Sequence, residues 1–398
     1  MPGVRVVAFV LAFSLLIAGL HGYVWARLAR DTELSRPQRR WLAGVLTVLA
    51  ASLPAALVGR WLLPQDAFAW LPTLAYVWLG YVFYLVLLLA CADVARLLRR
   101  THAKVLRGRD PAHADPEADP QRGRRVFVAR ATAVAASAGA SLIGLSGANS
   151  AFDILAPEVT VRLQRFPRAL DGFRIALLSD VHVGPTLRAA FLKGVVERTN
   201  RLRPDLIAIT GDLVDGSVAQ LGSIVEHLGA LRSRYGVFFV TGNHEYYSGV
   251  EPWLAFLRRL GQRVLMNDRV SIGDGGASFD LAGIPDRQAH RYHRVAADAA
   301  SAVEGRDPER ELVLLAHQPI QVDQAQRVGA GLQLSGHTHG GQIFPFGAAT
   351  RLVQPYLSGL HRHSATTQIY VSRGTGLWGP PMRVLAPAEI TQIVLVDA

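Results

Sequence analysis

Five short apolar runs between residues 173 and 335 each lead directly into residues whose side chains can bind a metal ion. The runs begin at residues 173, 206, 237, 312 and 332, and each has the length and the β-forming composition of a buried strand. The residues that follow them include Asp180 and His182, Asp212, Asn243, His317, and His337 with His339. The sequence therefore predicts a fold that presents Asp, Asn and His side chains at five strand ends.

The last of these runs leads into the sequence Gly336-His337-Thr338-His339-Gly340-Gly341. Two imidazoles separated by one residue, on a loop flanked by glycines, can point their ring nitrogens at two neighbouring positions, which suits a pair of metal ions. Two histidines on one loop are as often solvated or buried in a core as bound to a metal. The candidate ligands at the four earlier strand ends strengthen the prediction of a metal site. Mixed carboxylate and imidazole ligands favour Mn, Fe, Zn or Mg, whereas a single cysteine, Cys91, excludes a thiolate site.

Helical patterns lie between and after these runs. Apolar residues recur at three- and four-residue spacing over residues 187–202, 217–234, 251–260, 295–303 and 320–328. Strands that alternate with helices predict an α/β domain. The later runs 368–371 and 389–396 predict strands without ligands, and the glycines within 273–276 predict a hairpin.

The ordered series D-x-H, GD-x-x-D, GNHE, H and GHTH, which spans about residues 173–398, resembles the calcineurin-like metallophosphoesterase superfamily. Residues 336–342, residues 370–376 and the apolar N-terminal region are similar to its membrane-attached bacterial branch, which includes phosphodiesterases and UDP-diacylglucosamine hydrolases. The resemblance implies a four-layer α-β-β-α sandwich, preceded here by an all-α transmembrane region. It also implies a phosphoester substrate and two divalent metal ions as cofactors, whose identity among Mn, Fe, Zn and Mg stays open.

The resemblance also implies a ligand set for each of the two ions. Asp180, His182, His339 and Asp212 would hold one ion, and Asn243, His317, His337 and Asp212 would hold the other. Asp212 would therefore bridge the two ions. Two divalent ions about 3.5–4 Å apart can screen the charge of the phosphoryl oxygens and bind a hydroxide between them. The resemblance implies that this hydroxide is the nucleophile.

His244 is the one histidine of the motif series that the resemblance does not assign to a metal. An imidazole titrates near neutral pH, so His244 could protonate the leaving oxygen or stabilise charge on the phosphoryl group. Asp215 matches the carboxylate that orients this histidine in the family, although a turn residue before Gly216 is the alternative. Glu245 is not assigned to catalysis.

Candidate substrate contacts lie after the last ligand block. His361 and His363 lie between that block and Arg373, in the region that shapes the substrate opening in the family. A guanidinium can bind phosphate through two parallel hydrogen bonds, which makes Arg373, and comparably Arg383, a candidate.

The first 150 residues contain four apolar segments, at 4–25, 41–63, 69–92 and, more weakly, 131–148. The first three are long enough to cross a bilayer, with a signal peptide as the alternative for the first. Residues 1–150 carry 17 of the 42 Lys and Arg residues but 8 of the 31 Asp and Glu residues, so the excess basicity belongs to this region. The arginines between residues 27 and 40 place the first loop in the cytoplasm and the N-terminus outside.

The segment 126–150 decides on which side of the membrane the following domain lies. It is either a fourth transmembrane helix or an internal segment similar to a twin-arginine export signal, and both place that domain outside the cytoplasm. A helix lying on the membrane surface would keep it inside. The predicted organisation is a membrane region with three transmembrane helices over 1–95, a basic cytoplasmic linker over 96–125, this segment over 126–150 and a metallophosphoesterase domain over 151–398.

The sequence thus predicts a multi-pass enzyme of the inner membrane that hydrolyses phosphodiester or pyrophosphate bonds. A membrane anchor makes a lipid-linked substrate plausible, and a nucleotide-linked one is also considered. The alternative is a membrane sensor or transport protein whose domain binds metal or phosphate without turnover, and the scarcity of charges within the apolar segments argues against it. Residues 151–398 carry 25 basic and 23 acidic residues, so no nucleic-acid partner is expected.

Overall fold

A computed structural model gives the fold of the chain and describes residues 2–62, 70–107, 120–274, 276–292 and 294–398. The chain divides into two compact units, Met1–Ser146 and Gly147–Ala398. The first unit is helical, and the second contains both helices and β-sheets.

Four long helices run through the described part of the first unit. They are α1 (Pro2–Trp25), α2 (Arg36–Leu62), α3 (Trp70–Arg107) and α4 (Pro120–Ala151), the last of which continues into the second unit. Four stretches of the described residues are long and apolar enough to cross a membrane: Val7–Arg30, which runs from α1 through the π-helical turn Ala26–Arg30, and Arg36–Gly59, Trp70–Ala103 and Arg122–Ala151, which lie within α2, α3 and α4. Large apolar side chains on these helices, including Leu15, Trp41 and Leu142, are exposed, as expected of surfaces that face lipid.

The basic linker that the sequence predicts over 96–125 is shorter at both ends. Residues 96–107 continue α3, and residues 120–125 form the start of α4. The continuation of α3 follows from its leucine and arginine content, because both residues favour helix. Residues 108–119, whose prolines and aspartates prompted the prediction of a loop, lie outside the described residues.

Several polar residues of the first unit are paired with one another. Tyr23 donates to Asp93 over 2.6 Å, and Arg27 lies 2.7 Å from the same carboxylate. Trp78 donates its indole N–H to Nε2 of His21 over 2.8 Å. Pairing of this kind offsets the cost of polar groups where water is scarce.

The described part of the second unit contains twelve strands. They are β1 (Glu158–Leu163), β2 (Phe173–Leu178), β3 (Leu206–Ile209), β4 (Val237–Phe239), β5 (Arg263–Val264), β6 (Asp268–Asp274), β7 (Ala277–Gly283), β8 (Leu312–Leu315), β9 (Leu332–Ser335), β10 (Gly359–Arg362), β11 (Gln368–Val371) and β12 (Thr391–Asp397). They form two six-stranded sheets, in the orders β1-β12-β2-β3-β4-β5 and β10-β11-β9-β8-β7-β6. β2 to β5 are parallel, as are β7, β8, β9 and β11, so both sheets direct several strand ends the same way.

Shorter helices connect these strands. They are α5 (Ala189–Arg201), α6 (Val218–Val225), α7 (Asn243–Ser248), α8 (Val250–Arg259), α9 (Ala299–Ala302), α10 (Val322–Arg327) and α11 (Phe346–Thr350). On α5 the buried residues Leu192, Val195, Val196 and Thr199 recur every three or four positions and form one apolar face.

Alternate side chains of the strands build three apolar layers. Ile175 and Leu177 of β2 pack between the two sheets with Leu281 and Leu334. The other face of the first sheet packs against α5, α6 and α8, and the other face of the second sheet packs against α9 and α10. This arrangement confirms the predicted α-β-β-α sandwich.

The strand predictions at 173, 206, 237, 312 and 332 are confirmed, as is the hairpin formed by β6 and β7. Helices are present at all five predicted positions; α8 is as long as predicted but begins one residue earlier, and the other four are shorter. The largest difference is at 217–234, where α6 ends at Val225 and a 3-10 turn covers Glu226–Ala230. Gly229 and Ser233 are poor helix formers and are consistent with this early end.

Candidate active site

The ends of β2, β3, β4, β8 and β9 bring the predicted ligands into one buried cluster. Three overlapping groups of side chains have ligand atoms that lie within 4.8 Å of one another: Asp180, His182 and His339; His182, Asp212 and His244; and Asp212, His317 and His337. Asn243, at the end of β4, is also buried. The carboxyl ends of parallel strands are the usual location of sites in open α/β sheets.

The backbone around this cluster is held in an uncommon conformation. Asp180, His182, Asp212, His337 and His339 all have positive φ angles, between 50° and 71°. Non-glycine residues adopt the left-handed region rarely, and each costs of order 1–3 kcal/mol. Such strain persists only where the surrounding structure imposes it, so its concentration at five predicted ligands makes this cluster the candidate functional centre.

Close backbone contacts explain the glycines next to the ligands. A Cβ atom on Gly336 would lie 1.8 Å from Oγ of Ser179 and 2.1 Å from Oδ2 of Asp180. A Cβ atom on Gly242 would lie 2.2 Å from Oδ1 of Asp212. The strand ends therefore approach one another more closely than any other residue would permit.

Asp180, His182 and His339 form one side of the cluster. Nε2 of His182 lies 3.1 Å from Nε2 of His339, and Nε2 of His339 lies 3.5 Å from Oδ1 of Asp180. The Asp180 carboxylate also accepts the backbone N–H of His337, at 2.9 and 3.0 Å. Burial holds the pKa of His339 well below its usual range, so this imidazole is neutral and its lone pair is free to bind a cation.

Asp212, His317 and His337 form the other side. Nε2 of His317 lies 3.1 Å from Oδ2 of Asp212 and 3.1 Å from Nδ1 of His337. Nδ1 of His317 donates to the carbonyl of Thr210 over 2.7 Å, which directs Nε2 toward the cluster. Burial and the neighbouring His317 lower the pKa of His337 to about 3.

Glu245 holds the loops that carry two of these ligands. Its buried carboxylate accepts backbone N–H groups from Asp212, Leu213 and Gly242, at 3.0, 2.7 and 2.6 Å. The sequence left Glu245 without a role. The structure shows that it joins the ends of β3 and β4, and its place in the GNHE motif is the signal that could have indicated this.

His244 and Asp215 lie beside the ligands as a hydrogen-bonded pair. Nδ1 of His244 donates to Oδ1 of Asp215 over 2.5 Å, and Nε2 of His244 lies 3.9 Å from Oδ2 of Asp212. Burial opposes the charged imidazole, but Asp212 and Asp215 outweigh it and raise the pKa of His244 to about 9. Asp215 also bonds Nδ1 of His182 over 3.2 Å, so one carboxylate orients a predicted ligand and the predicted acid.

The residues of this cluster fit a metal centre. Oδ1 of Asn243 is buried and has no hydrogen-bond partner, and an unpaired buried amide oxygen is costly unless a cation occupies its lone pairs. Nε2 of His182 faces Nε2 of His339, and Nε2 of His317 faces Nδ1 of His337, at 3.1 Å in each pair, so ring nitrogens converge on both sides of the cluster. Carboxylate, amide and imidazole donors that converge in this way are the ligands of borderline and hard divalent ions.

The two arginine candidates have different surroundings. The side chain of Arg373 is 36% exposed, lies 3.1 Å from the buried Glu389 carboxylate, and has its stem beside Gly340 in the ligand loop. Arg383 is buried, and burial lowers its pKa to about 10. Its guanidinium donates to the carbonyl oxygens of His339, Arg373, Gly374, Gly376 and Ala386. Arg383 therefore supports the loops around the site, and Arg373 keeps a surface that a substrate can reach.

His361 and His363 lie on and just after β10, at the edge of the second sheet. Nε2 of His361 donates to the carbonyl of Ser358 over 2.8 Å, and its ring stacks on Tyr356 at 4.8 Å between centroids. Nδ1 of His363 lies 3.1 Å from the Tyr356 hydroxyl, and its Nε2 lies 3.3 Å from Asp323. None of the contacts described for these two rings is with a residue of the cluster of predicted metal ligands.

Two aromatic residues next to His244 were not predicted. The Tyr247 ring packs edge-on against His244 at 5.1 Å between centroids, and the exposed Trp378 ring lies 6.0 Å away. Tyr247 follows the GNHE motif closely, which gives a weak signal. Trp378 is 134 residues from His244 in the sequence, and only the folded chain brings them together.

Comparisons with known proteins agree with this geometry. Residues 173–341 match the family described as Calcineurin-like phosphoesterase. A Danio rerio protein named "Transmembrane protein with metallophosphoesterase domain" is 36% identical over 414 residues, which cover 100% of this chain and 92% of that protein. A Helicobacter pylori protein named "Uncharacterized metallophosphoesterase" is 42% identical over 240 residues, which cover 60% of this chain and 63% of that protein.

Among solved structures, a dimetal phosphatase from Danio rerio aligns with 51% of this chain and 88% of its own at 15% identity, with a TM-score of 0.33.

Proposed function

This chain belongs to the calcineurin-like phosphoesterase family, and we propose that it hydrolyses phosphodiester or pyrophosphate bonds with two divalent ions at the cluster around Asp212. It is a metal-dependent phosphoesterase with four helices suited to a membrane. The proposal that two ions bind here goes further than membership of the family. It is supported by the position of Asp212 within two of the three ligand groups.

The position of Asp212 is the single observation that carries the proposal. Oδ2 of Asp212 lies 3.1 Å from Nε2 of His317 and 3.9 Å from Nε2 of both His182 and His244. Asp180, His182 and His339 would hold one ion with it, and Asn243, His317 and His337 would hold the other. The same oxygen, Oδ2, faces nitrogen donors of both groups, so this carboxylate can serve both ions, while its Oδ1 accepts the backbone N–H of His244 over 2.8 Å.

Two bound divalent ions would offset the charge of the phosphoryl oxygens and favour ionisation of the attacking water. The chain itself positions an acid for the departing oxygen. Asp215 accepts the Nδ1–H of His244 and, together with Asp212, raises its pKa to about 9, so the ring is an imidazolium whose Nε2–H faces the site and can deliver a proton. Arg373 lies at the edge of the ligand loop, where its guanidinium can contact a phosphate oxygen of the substrate.

The anchoring helices support a proposal for the substrate and for the side of the membrane on which it lies. Attachment confines the enzyme to the layer in which lipid-linked substrates reside, which supports a lipid-linked phosphoester over a freely diffusing one. The arginines between residues 27 and 40, and those after residue 95, support an inner-membrane topology with the catalytic unit outside the cytoplasm. That side would exclude a cytoplasmic nucleotide-linked substrate.

The test is hydrolysis of bis-p-nitrophenyl phosphate by the full chain in lipid nanodiscs, with Mn, Zn, Mg or a chelator. We expect metal-dependent turnover that is lost in Asp212→Asn and strongly reduced in His244→Ala. His227→Ala, on a 3-10 turn away from the site, is the matched control and should keep full activity.

Turnover that survives Asp212→Asn would contradict the two-ion site. Metal binding without turnover on any phosphodiester, pyrophosphate or lipid-linked substrate would instead favour a sensor or transport protein with a non-catalytic domain.

A further inference from the structure

Six large apolar side chains are exposed on two segments that flank the candidate active site. Phe344, Phe346, Leu352 and Val353 follow the ligand loop, and Trp378 and Leu385 precede β12. Their exposed fractions run from 54% at Phe346 to 86% at Leu352. These six residues are called the apolar rim below. Single exposed apolar residues are common, but a group of six on neighbouring segments marks an interaction surface.

Gln342 joins the two segments of the apolar rim. Its side chain donates to the carbonyl of Trp378 and accepts the backbone N–H of Trp378, both at 2.9 Å. Its carbonyl accepts the N–H of Val384 over 2.9 Å, and the N–H of Phe344 donates to Val384 over 3.2 Å. Gln342 is three residues from His339, so the apolar rim adjoins the ligand loop.

The last turns of α4 end against the same segment. The backbone N–H of Arg383 donates to the carbonyl of Gly147 over 2.9 Å. A Cβ atom on Gly147 would lie 3.0 Å from Cγ2 of Val384 and 3.1 Å from Cβ of Met382. Gly147 belongs to Arg122–Ala151, a helix long and apolar enough to cross a membrane. The loop that carries Leu385 therefore lies beside the end of a helix suited to the bilayer.

Leu385 is exposed in a conformation that disfavours it. Its φ is 61°, in the left-handed region where Gly or Asn is the usual residue, and 83% of its surface is exposed. A leucine here gains little from packing within the folded chain. A contact with a partner outside the folded chain would account for a leucine at this position.

We infer that the apolar rim contacts the interfacial layer of the lipid bilayer that anchors the chain. Trp is enriched at membrane interfaces, and Trp, Phe and Leu form the membrane-facing side of interfacial helices; the rim contains one Trp, two Phe and two Leu residues. Arg351, which is exposed next to Leu352, has an apolar stem and a charged end that can reach headgroup phosphates. The contact places the active site at the level of headgroup phosphates. The inference goes beyond the proposed function and does not depend on turnover.

Single labelled cysteines in the full chain test this contact. Cys91 is the only cysteine, so Cys91→Ala gives a background for Leu352→Cys and Leu385→Cys. Glu309→Cys is the matched control. Glu309 is exposed and precedes β8, so it lies at the opposite end of that strand from His317. Each variant carries a bimane label and is reconstituted in phosphatidylcholine vesicles, with and without lipid bearing a nitroxide near the headgroup.

We expect nitroxide lipid to quench the labels at 352 and 385 but not the label at 309, and aqueous iodide to quench mainly the label at 309. Iodide quenching at 352 and 385 equal to that at 309, without lipid quenching, would overturn the inference. Protection of both labels from iodide and from nitroxide lipid would also overturn it, since a second copy or another protein would then cover the rim. The metal-free protein should behave identically, which separates this result from failure of the proposed activity.

Discussion

Nδ1 of His244 lies 2.5 Å from Oδ1 of Asp215, and this contact fixes which ring nitrogen faces the metal-ligand cluster. The same carboxylate bonds Nδ1 of His182 through its other oxygen, at 3.2 Å. Asp215 thus links a predicted ligand to the predicted acid. Replacing His244 and replacing Asp215 should therefore have different effects on kcat and on metal affinity.

His244→Ala should lower kcat by about 10²–10⁴-fold without loss of bound metal, because general acid catalysis contributes about that much. The loss should be larger for a phenyl ester than for a p-nitrophenyl ester, since the poorer leaving group needs the proton more. The measurement is kcat for both esters, with metal content determined in the same samples. An equal loss for the two esters would assign His244 to charge stabilisation in place of proton transfer.

Asp215→Asn should lower both kcat and metal affinity, the latter by about 10–100-fold, as expected when a residue that orients a ligand is changed. An amide can present its NH₂ group to one of the two imidazoles, which disturbs His182 as well as His244. Metal titration and kcat at saturating metal separate the two effects. Asp274→Asn, on an exposed ion pair with Arg234, is the matched control. Unchanged metal affinity would show that Asp215 serves His244 alone.

The sequence predicted that these Asp, Asn and His side chains lie together, because each follows a buried run and burial of such runs in parallel strands brings their ends together. It could not predict the left-handed backbone at Asp180 or His339, because positive φ is uncommon even for Asp and His, which adopt it more often than most residues, and the neighbouring strand ends impose it here. It likewise missed Trp378 beside His244, a contact that depends on tertiary structure. The continuation of α3 to Arg107 was missed because nearby prolines suggested a loop.

Glu245→Gln should destabilise the second unit by about 1–3 kcal/mol even without metal. The carboxylate uses both oxygens to accept three backbone N–H groups, whereas an amide would direct its own N–H at one of them and leave it unpaired. The measurement is pulse proteolysis in urea, with chelator present. Glu226→Gln, which is exposed, should leave the midpoint unchanged. Equal midpoints for Glu245→Gln and wild type would show that water replaces the lost acceptor.

Removal of metal should lower the thermal stability of the second unit. An ion that binds the folded but not the unfolded chain stabilises it by about 2.7 kcal/mol at 100 times its Kd. We expect chelator to lower the temperature at which this unit becomes sensitive to protease, and excess Mn or Zn to restore it. Asp212→Asn should show little response to chelator. A full response in that variant would place the stabilising metal elsewhere.

Arg373→Ala should raise KM for a phosphodiester by about 10–100-fold while kcat and bound metal change little, since a charge-assisted hydrogen bond to phosphate contributes about 1.5–3 kcal/mol. The stem of Arg373 packs on Gly340, and its guanidinium is shared with the buried Glu389, so the substitution also leaves that carboxylate with fewer donors. Arg373→Lys separates the two effects. It keeps a charge near Glu389 but cannot bind phosphate through two parallel bonds, so it should retain stability and recover only part of the affinity. Arg174→Ala, on the exposed side of β2, is the control. An unchanged KM in Arg373→Ala would remove Arg373 from substrate binding and leave it a purely structural partner of Glu389.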